Sequence, residues 1–66
     1  MNESQQYRDY QNRGGTFPIR DWRKRRMQFE IESAAAIRWR DSHPGQMLID
    51  APNYERLNAL ERELHL

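Results

Sequence analysis

The clearest pattern lies at the C-terminal end of the chain. Tyr54, Leu57, Leu60 and Leu64 recur at three- and four-residue spacing, with Glu55, Arg56, Arg62 and Glu63 off the stripe. That is one apolar face of an amphipathic helix, expected over about 51–65. Asp50 suits its N-cap, and Ala51-Pro52 suits its first turn. The apolar Met47-Leu48-Ile49 just ahead of it is expected to tuck into the same core.

Residues 17–42 are rich in Arg, Met, Gln, Glu and Ala, all good helix formers. Thr16 is a possible N-cap, Pro18 fits a first turn, and Pro44-Gly45 supplies a stop. These signals predict a helix over about 18–42. Its apolar residues make two faces, not one stripe. Ile19, Met27, Ile31, Ala34 and Ile37 share one side; Trp22, Phe29 and Ala36 share the opposite side, with Trp39 next to them. A two-faced helix packs against two neighbours. The chain offers one evident neighbour, the C-terminal helix, so the Trp22, Phe29 and Ala36 face is expected to meet another chain. A rival pattern exists: Met27, Phe29 and Ile31 alternate with Gln28, Glu30 and Glu32, as in a strand. That alternative is a small α+β fold, a β-hairpin followed by the C-terminal helix. The run Ala34-Ala35-Ala36 counts against it, because alanine is depleted in strands.

Residues 1–16 hold no Val, Ile or Leu and read as a flexible, disordered polar arm, leaving 17–66 as a single small helical domain. Arg13-Gly14-Gly15 has the look of an RGG-type RNA-binding tail, but one copy is weak, and a hinge is the better reading. The expected fold is therefore all-α: a helical hairpin with a disordered N-terminal arm, completed by oligomerisation.

Size sharpens that last point. A chain of 66 residues without cysteine buries only about 60% of its unfolded surface, and a core this small supplies about 3–5 kcal/mol. A walled catalytic pocket is hard to build at this scale. No apolar run reaches the roughly 18 residues of a membrane span, and the polar N-terminus lacks the pattern of a secretory signal, so a cytoplasmic location is expected. The net charge of +1 conceals a bipolar chain: residues 1–40 carry nine basic and five acidic groups, residues 41–66 two and five.

The positive half holds the candidate chemistry. Arg20, Arg23, Lys24, Arg25 and Arg26 surround Trp22, a composition able to neutralise phosphates and stack on an unpaired base. At helical spacing these charges encircle the axis, which disfavours duplex DNA and suits structured RNA better. The bland alternative is a solvated turn with local pairs such as Asp21–Arg25 and Arg26–Glu30. Trp39, between Arg38 and Arg40, is either a binding anchor or the ring that closes the core end of the hairpin. Asp41-Ser42-His43 has the composition of a hydrolase triad, but adjacent residues seldom converge on one another. His43 and His65 lack a spaced third ligand for a metal, and no glycine-rich phosphate loop is present.

The function expected from these features is a non-catalytic interaction or regulatory protein, an adaptor or inhibitor, with no cofactor and no small-molecule substrate. It would self-associate or dock on a larger protein through Trp22, Phe29 and Trp39. The alternative is a small nucleic-acid-binding regulator, RNA preferred, that uses Arg20 to Arg26.

Overall fold

A long central helix carries two shorter ones on one side. The computed structural model describes residues 2–66, in which α1 spans Glu3–Asn12, α2 Ile19–Asp41 and α3 Tyr54–Glu63, with a 3-10 turn at Leu48–Asp50 before α3. No strand occurs among the described residues, so the β-hairpin alternative is overturned and Met27 to Ile31 are helical.

The segment expected to be a disordered arm is a helix. Asn2 caps α1, its Oδ1 accepting from the Gln5 N–H at 2.8 Å, one of the first-turn donors that an N-cap side chain satisfies. At the other end, Gly14 (φ +97°) occupies the left-handed position. The Gly14 N–H donates to the Gln11 carbonyl and the Gly15 N–H to the Tyr10 carbonyl, the double bond of a Schellman motif. Arg13-Gly14-Gly15 is thus a helix terminator and not a loose hinge. Gly15 also lies so close to the Tyr10 ring that a Cβ there would collide with it.

Aromatic side chains fix α1 to the rest of the chain. Tyr10 is 1% exposed and packs with Trp22 and Leu64, while Tyr7, Phe17 and Phe29 border the cluster. Both tyrosine hydroxyls hold the backbone of the connector: Tyr7 Oη donates to the Phe17 carbonyl at 2.8 Å, and Tyr10 Oη accepts from the Phe17 N–H at 2.9 Å. A second cluster of Ala36, Ala51 and Leu57 takes in Phe29, Trp39, Leu48 and Tyr54 at its border. Leu57 thus packs beside Ala36, and Leu64 beside Trp22, so α3 runs antiparallel to α2. Its predicted stripe is the interior one, with Leu57, Leu60 and Leu64 all buried. Of the preceding apolar triplet only Leu48 turns inward; Met47 and Ile49 stay exposed.

One buried charge ties α2 to α3. Glu32 is 8% exposed. Its carboxylate accepts from Gln28 Nε2 at 3.0 Å, from Asn53 Nδ2 at 2.9 Å and from Arg56 at 3.4 Å. Asn53 Nδ2 also donates to the Glu32 backbone carbonyl at 2.9 Å. The Asn53 hydrogen bond first, then the Arg56 charge, hold the Glu32 carboxyl below its ordinary value of 4.5 against the opposing effect of desolvation. A buried carboxylate needs this kind of full satisfaction. Asn53 therefore serves as a cross-link between helices; the expected N-cap role of Asp50 is also displaced, since its carboxylate accepts from the Met47 N–H at 3.0 Å within the 3-10 turn.

Candidate docking face on the long helix

The basic cluster of α2 is divided by the fold. Arg23 pairs with Glu3 of α1. Arg25 pairs with Glu63 of α3 at 3.3 Å and lies over the Phe17 ring, 3.9 Å from its centroid. Arg26 pairs with Glu30 at 3.4 Å and approaches the Trp22 ring. The anticipated Asp21–Arg25 pair takes another form, in which the Arg25 guanidinium donates to the Asp21 backbone carbonyl. Three of the five cations assigned to nucleic acid are thus paired within the chain, Arg23 and Arg25 across helices and Arg26 within α2. Arg20 and Lys24 have no carboxylate within ion-pair distance among the described residues, and neither does Arg38.

The aromatic anchors point the other way from expectation. Trp22 is 3% exposed and Ala36 fully buried, and Phe29 lies between the two core clusters. The face assigned to another chain is the interior of this one. The physical reason is α1, whose Tyr7 and Tyr10 supply the neighbour that the aliphatic-poor N-terminal segment did not advertise. A buried Trp22 has no free ring face for a base. Trp39 is half-buried at the edge of the second cluster, and its ring stacks on His43 with centroids 4.3 Å apart, which matches its reading as the end of the core.

The opposite face of α2 is the one left to solvent. Met27 is 63% exposed and Ile31 55%, with Ala34 also exposed and Ile19 and Ile37 at the margin. The free cations belong to this same side. Arg20, Lys24, Met27, Ile31, Ala34 and Arg38 follow one another at alternating four- and three-residue steps, the a/d spacing of a coiled-coil seam. At about 1.5 Å per residue the row from Arg20 to Arg38 is about 27 Å long. It has three apolar side chains in the middle and unpaired cations at both ends.

Other constellations resolve into structure. Ser42 Oγ and His43 Nδ1 are 3.2 Å apart, yet His43 Nδ1 lies 2.7 Å from the Trp39 carbonyl and the Ser42 hydroxyl donates to the same carbonyl at 3.0 Å. A carbonyl only accepts, so Nδ1 carries the proton and offers Ser42 no base. This arrangement ends α2. His65 takes the left-handed position after α3 (φ +56°), with its own N–H donating to the Arg62 carbonyl and that of Leu66 to Glu61. A shallow cleft of about 370 Å³ lies between α1 and the end of α3, lined by Asp9, Arg13, Phe29 and Leu66 among others. Gln6 lines it too, with its Oε1 buried and unbonded. Among the described residues no three His, Asp or Glu side chains gather as a metal site would require, and no helix is long and apolar enough to cross a membrane.

No protein-family model, no curated protein and no solved structure matches the chain.

Proposed function

We propose that this chain is a non-catalytic interaction protein that docks on a protein partner through the outer face of α2. One observation carries the reading: the exposed apolar row Met27, Ile31 and Ala34 in the middle of a helix whose other side already holds the core. Isolated exposed apolar residues need no explanation, but a row at seam spacing is what a helical interface requires. Trp22 and Phe29 contribute indirectly, by fixing which side of α2 faces out. An adaptor or an inhibitor would use the same surface, since both act by occupying a partner.

The nucleic-acid alternative finds less support. Arg23, Arg25 and Arg26 are committed to internal pairs, and the aromatic at the centre of the cluster is covered. A phosphate ligand would meet Arg20, Lys24 and Arg38 with an apolar centre between them, where it gains nothing.

Ile31→Glu tests the proposal. The residue touches neither core cluster, so circular dichroism should match the parent. With each chain as bait in nuclease-treated extract of the cells that make it, the parent should retain a protein that Ile31→Glu loses. Identical capture by both chains, or capture that disappears on nuclease treatment, would overturn it.

A further inference from the structure

The partner's chemistry follows from the charge arrangement on this face, granted that the face is the docking site. We infer that the occupant is an acidic amphipathic helix, laid along α2 so as to complete a short coiled coil. Its middle would be apolar against Met27, Ile31 and Ala34, and its two ends would carry carboxylates toward Arg20 and Lys24 on one side and Arg38 on the other.

Three observations lead there. First, the spacing: Lys24, Ile31 and Arg38 fall at a positions, and Arg20, Met27 and Ala34 at d positions, so a facing helix interdigitates with this row. The small Ala34 makes room for a large side chain from the partner. Second, the charges: every other basic side chain of α2 has a carboxylate within ion-pair distance, while Arg20, Lys24 and Arg38, all on this row, have none among the described residues. Unpaired like charges bracketing an apolar patch select a partner of opposite sign and repel one of the same sign. Third, the neighbours of the row are already paired, Arg23 with Glu3 and Glu30 with Arg26, so they do not blunt its net positive character.

The same observations weigh against other occupants. A second copy of this chain would bring three more unpaired cations to an interface whose apolar centre is Met27, Ile31 and Ala34, with Ile19 and Ile37 at its margin. A stable interface buries about 800 Å² per partner, and self-pairing over such an area would set the like charges of the two rows against one another. A membrane surface suits a helix whose cations flank a broad apolar face with aromatic anchors; no aromatic side chain lies on this row.

The experiment uses four probes on the full chain, read by fluorescence anisotropy at about 50 and 200 mM salt, a range that weakens charge-driven contacts. They are a synthetic three-heptad helix with Leu at the central a and d positions and Glu at the outer ones, its counterpart with Lys in place of Glu, a fluorescent RNA hairpin, and phosphatidylglycerol-containing vesicles. The acidic helix should bind the parent and weaken as salt rises, and the lysine helix should not bind. Lys24→Glu combined with Arg38→Glu should lower affinity for the acidic helix at least about tenfold and create affinity for the lysine helix. Equal binding of both helices, or of neither, overturns the inference. If neither helix binds but light scattering finds a dimer that Ile31→Glu dissolves, α2 remains the interface and the acidic partner is wrong. If the RNA or the vesicles bind and the double charge reversal abolishes it, the protein-docking function falls as well.

Discussion

Replacing Tyr10 asks whether the N-terminal helix belongs to the core. Tyr10→Phe keeps the ring against Trp22 and Leu64 but deletes the oxygen that accepts from the Phe17 N–H at 2.9 Å. A part-buried donor then loses its partner, which costs about 1–3 kcal/mol. In a domain of this size each kcal/mol moves the melting midpoint by about 4–8 °C, so Tyr10→Phe should melt at least a few degrees below the parent. Tyr10→Ala also removes a ring that is 1% exposed, and losses of this kind run to about 3–5 kcal/mol. That equals the whole stability expected of so small a core, so Tyr10→Ala should be largely unfolded at room temperature. Tyr54→Phe is the control, because the Tyr54 hydroxyl makes no hydrogen bond to the described residues. The assay is urea and thermal denaturation followed by far-UV circular dichroism. If Tyr10→Phe and Tyr10→Ala both melt with the parent, α1 contributes nothing to the fold and its packing against α2 is mistaken.

Three further substitutions probe single features. The Glu32 carboxyl is held below its ordinary value of 4.5, so its contribution to stability is complete above that pH and is lost as pH falls through the depressed folded value; urea midpoints between pH 6 and 3 should fall less steeply in Glu32→Gln than in the parent, and equal slopes would show that the Asn53 and Arg56 contacts carry no pH-dependent stability. Gly15→Ala should destabilise by about 1–3 kcal/mol, the usual cost of overpacking, since the new methyl meets the Tyr10 ring; an unchanged midpoint would mean that the ring moves aside freely. His65→Gly places glycine at a left-handed position that costs an ordinary residue about 1–2 kcal/mol, offset in part by losing the edge contact of His65 with Tyr10 at 5.8 Å; the midpoint should rise, and a fall would put the ring contact ahead of the backbone strain.

What could be read from the residues was the local part. The α3 stripe and the stop after α2 rest on spacing and turn chemistry within a few positions, and both are present in the fold. The two faces of α2 were legible as well; which one turns inward was not. That choice depends on where α1 docks, and α1 contains no aliphatic side chain: its packing surface is Tyr7 and Tyr10 at three-residue spacing. Tyrosines whose hydroxyls are satisfied by backbone groups bury as well as leucines do, but in a segment of Gln, Asn and Arg they resemble the composition of a disordered tail. The Gly14-Gly15 pair carried the missing signal, a helix terminator placed directly after the Tyr-containing stretch. Burying the aromatic face then leaves Met27, Ile31 and Ala34 outside, so the reversed choice at α1 also moved the candidate interface to the opposite side of the helix.

Phe29 borders both hydrophobic clusters, and this shared membership sets how the molecule comes apart. Among the described residues that border the clusters, Phe29 is the one common to the Tyr10–Trp22 half and the Ala36–Leu57 half. With the ring in place, loosening one half strips contacts from the other, and amides of α1 and α3 should exchange with solvent through one common opening. Trimming Phe29 to alanine would split that event in two. The N-terminal half would then breathe on its own, releasing α1 while α3 stays protected.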